Sequence, residues 1–162
     1  MAADANHEDA RLLLELYDLR REKVLRRARD FVGQDLKFKD FQDYQKRYPE
    51  GGKQSRYVAM VLGYWDLACA LVARGLINEE LFNATNFEHV GVWFKLRPVV
   101  EALRKRYRSE WIMKSLETVA TRHPGAATYA QMMEGDGKKA KKQKKAKAAA
   151  APAGPPIEEE DE

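Results

Sequence analysis

Cysteine is almost absent from this chain of 162 residues: Cys69 is the only one. That excludes an internal disulfide framework, and a lone thiol inside an apolar stretch suits a reducing compartment, so a cytoplasmic protein is expected. Histidine is nearly as scarce. His7, His89 and His123 lie far apart, and neither the Glu-x-x-His pair of a di-iron bundle nor the His-Glu-x-x-His of a zinc protease occurs. No nucleotide-binding signature occurs either. Without an assembled acid/base pair or an activated nucleophile, the chain is expected to be no enzyme and to need no cofactor or metal. Strand-like alternation and internal repeats are also missing, which removes sheet and solenoid architectures. The N-terminus, MAADANHEDARLLLELYDLRRE, lacks the basic start and unbroken apolar run of a signal peptide.

What the chain does have is one long apolar segment, Tyr57–Ile77, with charge only at Asp66 and Arg74. About 20 such residues are enough to span a bilayer. Asp66 argues against that, because a charge near the centre of a span costs roughly 2.5–3.5 kcal/mol. Tyr64 and Trp65 also prefer membrane interfaces to the bilayer centre. The segment is therefore expected to be the central helix of a soluble bundle, buried on most of its circumference, with no membrane span. Ser55 is placed to cap its start and Gly75 to end it in the left-handed conformation. Asn78 then caps a short helix through Phe82, with Glu79 and Glu80 in its first turn.

Around this segment the spacing predicts further helices. In His7–Val32, Leu13, Tyr17, Val24, Ala28 and Phe31 form a stripe widened by Leu14, Leu25 and Val32. Lys39–Tyr48 reads as a short amphipathic helix stopped by Pro49, Gly51 and Gly52. Phe87–Tyr107 carries a stripe through Val90, Trp93 or Phe94, Leu96 or Arg97, Val100, Leu103 and Tyr107. Pro98 either kinks it or opens a new helix. Ser109–Arg122 follows, with Ile112, Leu116 and Val119 toward the core, widened by Trp111 and Ala120. From residue 135 onward the chain has almost no apolar side chain larger than Ala, too little to offset its ordering entropy. The expected architecture is an all-α bundle of four or five main helices over 1–134, followed by a disordered Lys/Ala/Pro-rich tail over 135–162 with an acidic end.

Charge singles out two groups. Lys138, Lys139, Lys141, Lys142, Lys144, Lys145 and Lys147 make a block without aromatics that can neutralise phosphates without reading sequence. Arg26 and Arg27 belong to a basic cluster on the first helix, interleaved with Glu15, Asp18, Glu22 and Asp30. Residues 138–162 hold seven Lys against five acids, and residues 1–137 hold 22 basic against 20 acidic groups. The folded part is thus nearly neutral, and an alkaline isoelectric point alone does not indicate a nucleic-acid partner. Asp66, on the central helix, must be paired, exposed on a polar strip or protonated. Arg21, Arg97 and Arg104 are its candidate partners. A pocket bordered by Asp66, Arg21, Trp65 and Trp93 is the ligand-binding alternative.

The stretch Tyr64–Arg104 carries a resemblance. Its aromatic-bearing central helix is followed by Gly75-Leu76-Ile77-x-Glu79-x-Leu81-Phe82, then by Trp93, Leu96 and an Arg-bearing helix. Leu16-Tyr17-x-Leu19-Arg20 on the first helix fits the same pattern. In this order of features the chain resembles a family of bacterial all-helical proteins known only as a domain of unknown function. The resemblance implies the helical bundle and transfers no catalytic residue. The function expected first is a non-enzymatic bundle acting through protein–protein contacts, its own dimer included. A sequence-independent nucleic-acid-associated protein is the second expectation, and a small-molecule-binding bundle the third.

Overall fold

The computed structural model describes residues 4–133. Helices α1 (His7–Arg20), α2 (Lys23–Asp30), α3 (Phe41–Arg47), α4 (Lys53–Ala73), α5 (Glu79–Thr85), α6 (Glu88–Tyr107) and α7 (Lys114–Arg122) follow in order, with a π-helical turn, Phe31–Asp35, after α2. No strand occurs among the described residues. The protein is all-α. One unit ends at Ala127 and a second begins at Thr128. The backbone is helical again over 126–133, and the tail predicted from residue 135 lies outside the described residues.

The core of the first unit is built on α4. Val58, Val61, Leu62, Trp65, Ala68, Cys69 and Val72 lie along one stripe and are all at most 3% exposed. The expectation that α4 is buried most of the way round is corrected: Met60, Gly63 and Leu67 form an outward strip. The helix is long and apolar enough to cross a membrane by length and composition, but its apolar stripe is taken up by α2, α6 and α7. Packing against Leu25, Ala28, Val32, Trp93, Leu96, Val100, Leu116 and Val119 closes a single cluster. Each fully buried side chain of this size stabilises by about 1.5–3 kcal/mol.

The ends of α4 are set by glycine. The start is corrected: Gly52, not Ser55, is the N-cap, and the Ser55 hydroxyl donates to the Gly52 carbonyl at 2.9 Å. At the other end Gly75 takes φ +71°. Its N–H bonds the Val72 carbonyl and that of Leu76 bonds Leu71, both at 2.9 Å. This is the paired closure that lets a helix stop without orphaned carbonyls. Asn78 caps α5 by accepting the Leu81 N–H at 2.8 Å, and α6 runs through Pro98 as one helix.

Two predicted helices are shorter than their patterns. The span 7–32 is divided at Arg21-Glu22, where the Glu22 carboxylate accepts the Val24 and Leu25 N–H groups at 2.8 Å and starts α2. The last helix begins at Lys114 rather than Ser109. Residues 109–113 instead form a turn between two left-handed residues, Arg108 at φ +51° and Met113 at φ +53°. Trp111, predicted to widen the core face, is therefore outside the helix and 83% exposed.

Candidate functional site

The break at Arg21-Glu22 decides which side chains of the first two helices face inward. Asn6 starts α1 by accepting the N–H groups of Glu8 and Asp9, and Asp9 answers by accepting the Asn6 N–H at 2.7 Å. The other Asp9 oxygen accepts the Asn78 N–H at 2.8 Å. One buried carboxylate thus serves the starts of α1 and α5. At the far end of α1 the Tyr64 hydroxyl, from α4, donates to the Leu16 carbonyl at 2.8 Å. Burial pushes that phenol up to about 12, so it stays a donor at neutral pH. With α1 fixed at both ends and the phase reset at Glu22, Leu16 and Leu25 point inward. Leu14, Tyr17 and Val24, three members of the predicted core stripe, are turned to solvent at 67%, 49% and 42% exposure.

Beside this outward face lies a hollow of about 240 Å³, walled by Leu13, Leu14, Tyr17, Tyr64, Phe82 and Asn86 among others. Arg20 borders it. Its guanidinium donates to Asn86 Oδ1 at 3.1 Å and stands 5.1 Å from the Tyr17 ring and 6.0 Å from the Trp65 ring. Arg29 of α2 grips Glu88 of α6 through both carboxylate oxygens, and Trp65 Nε1 donates to the same carboxylate at 3.4 Å. The Arg29–Glu88 bond raises the Arg29 pKa, burial working the other way. Arg29, Glu88 and Trp65 thus satisfy one another beside the hollow rather than lining it.

His89 is fully buried, and neither ring nitrogen has a hydrogen-bond partner. Its ring lies against Trp65, Phe82 and His123. Burial first, then His123, pushes its pKa down to about 4, so it is neutral at neutral pH. Cys69 is buried, and burial raises its pKa far out of the reactive range. No cluster that would hold a metal ion occurs among the described residues.

The residues singled out in the sequence scatter. Asp66 makes no ion pair with Arg21, Arg97 or Arg104. It accepts the Leu116 N–H at 2.8 Å and so caps the start of α7 from the side of α4. Met113, the residue in the cap position, has no side-chain cap of its own. Arg21 is exposed and reaches Asp18 at 4.0 Å. Arg97 meets Glu101 at 3.7 Å and Arg104 meets Glu117 at 3.1 Å. Trp65 and Trp93 are both buried, Trp93 beneath the Arg104 guanidinium at 5.8 Å. The pocket bordered by Asp66, Arg21, Trp65 and Trp93 is therefore not assembled. The basic cluster is divided as well: Arg20 turns to Asn86, Arg29 to Glu88, and Arg26 and Arg27 remain exposed. The Lys138–Lys147 block lies outside the described residues. The sequence reading missed the outward face of α1, because Glu22 is an uncommon capping residue and no Gly or Pro marks the break.

Residues 6–123, well over half of the chain, match the family model described as a domain of unknown function, DUF4760. None of the curated proteins and none of the solved structures matches the chain.

Proposed function

The chain belongs to the DUF4760 family, and on that premise we propose that this protein is a non-enzymatic, cytoplasmic bundle that acts through protein–protein contacts, the first of them with a second copy of itself along α1. The observation that carries the reading is the outward face of α1, where Leu14 and Tyr17 are exposed beside a hollow of about 240 Å³. Covering the part of each that is still exposed stabilises by about 1–2 kcal/mol.

Charge on the same helix favours a second copy. In an antiparallel pairing about a two-fold axis between residues 14 and 15, Leu14 meets the Glu15 stem of the second helix and Arg11 falls opposite Asp18, twice by symmetry. Arg11 now pairs with Glu8 and Glu15, each more than half exposed. Such surface pairs contribute only about 0.2–1 kcal/mol and are readily exchanged. A helix of 14 residues is about 21 Å long, short of a standard interface, so a dissociation constant on the order of micromolar is expected.

Light scattering on the eluting protein tests this. At about 100 µM the intact chain should run as a dimer, and Leu14→Glu and Asp18→Arg, both at exposed positions of the paired face, should run as monomers with unchanged melting. A monomeric intact chain at that concentration, or a dimer indifferent to both changes, overturns the reading.

A further inference from the structure

A second hollow, of about 370 Å³, opens between α3, the loop after it, α4 and α6. It exists because α3 is only seven residues long and the chain then turns through Pro49 and Gly51, the latter at φ +78°. Tyr44, stacked on Phe41 with an interplanar angle of 15°, forms one wall. Val58 and Leu62 of α4 and Val99 and Leu103 of α6 form the others. The mouth has a different character. Glu50 on the loop accepts a bond from Arg106 of α6 at 3.0 Å, with the two side chains 74% and 49% exposed. Arg56, also at the mouth and exposed, has no acid partner among the described residues. An apolar chamber is thus entered past two guanidiniums and one carboxylate.

We propose that this hollow binds a single-chain amphiphile with a carboxylate head. The volume sits at the low end of the roughly 300–1,000 Å³ of ligand sites, enough for one short acyl chain and too small for a helix. The carboxylate takes Arg56 and replaces Glu50 on Arg106, because guanidinium and carboxylate match in bidentate geometry. Glu50 is then a competitor held at the entrance, and removing its charge strengthens binding. The site is independent of the α1 face.

Decanoate, titrated into the intact chain below its micelle concentration and followed by backbone amide NMR, is the probe. Decanol and decyltrimethylammonium are the controls. Saturable shifts confined to residues 41–62 and 99–106 are expected, with decanol and the cation at least about tenfold weaker, the scale of one lost charge-assisted hydrogen bond. Arg56→Gln with Arg106→Gln should weaken decanoate about tenfold and leave decanol unchanged, whereas Glu50→Gln should strengthen decanoate. All three positions are exposed, so an unchanged melt certifies each variant. Equal affinity for decanol, weakening by Glu50→Gln, shifts spread over the whole chain, or no saturation overturns the proposal. Shifts at the same residues produced by an acidic peptide and not by decanoate overturn it in favour of a protein partner.

Discussion

Replacing Asp66 by alanine removes the acceptor for the Leu116 N–H and leaves the first turn of α7 uncapped, since Met113 offers nothing in its place. Loss of an N-cap acceptor costs about 0.5–2 kcal/mol. The carboxylate also faces the positive end of the α7 dipole, which adds about 0.3–1 kcal/mol. Asp66→Ala should therefore lose about 1–3 kcal/mol, or about 2–12 °C in melting temperature for a chain of this size. Asp66→Asn keeps a side-chain carbonyl at the same place and loses only the charge, so it should fall by no more than about 1 kcal/mol. A buried ion pair would behave otherwise, with both substitutions stranding a partner at about 3–5 kcal/mol. Thermal and urea melts of the two variants separate the cases. Equal, large losses refute the capping role, and so does a wild-type melt for Asp66→Ala.

Two further perturbations follow from buried polar groups. His89 is held neutral, with a pKa of about 4 against about 6.5 when unfolded, so stability is complete above pH 6.5 and falls as pH drops toward 4, by about 3 kcal/mol in all. Melts between pH 7 and pH 4 should show this slope, and His89→Leu should flatten it; a slope that survives the substitution assigns it to other groups. Asp9 serves two helix starts, so Asp9→Ala should cost about 1–4 kcal/mol, twice the range for one cap, and amide exchange should quicken at both Asn6 and Asn78. Faster exchange at Asn6 alone would sever the link to α5.

How legible each element was depended on how local its cause is. The closure of α4 at Gly75, the Asn78 cap and the start of α1 at His7 each rest on a residue within a turn of the boundary, and all three stand where the pattern put them. The start of α7 rests on Asp66, 50 residues away, and no window along the chain contains both. Division of the first helix rests on Glu22, whose long side chain accepts the Val24 and Leu25 amides ahead of it without the usual signature of a cap. That one break reversed the reading of Leu14 and Tyr17 from core to surface. The candidate site was thus hidden inside a correctly recognised apolar pattern, because periodicity counts apolar side chains and does not say which partner covers them.

The central claim, that two copies pair along α1 about Leu14, is tested most directly by a single cysteine. Leu14→Cys places a thiol beside the two-fold axis of the proposed pair, so the two thiols approach each other as a disulfide requires, while Cys69 is buried. Leu67→Cys, also exposed, on α4, is the control. Under mild oxidation at about 50 µM the account predicts rapid conversion of Leu14→Cys to a covalent dimer that melts like the intact protein, with Leu67→Cys left monomeric. Oxidation of Leu14→Cys no faster than Leu67→Cys would contradict it.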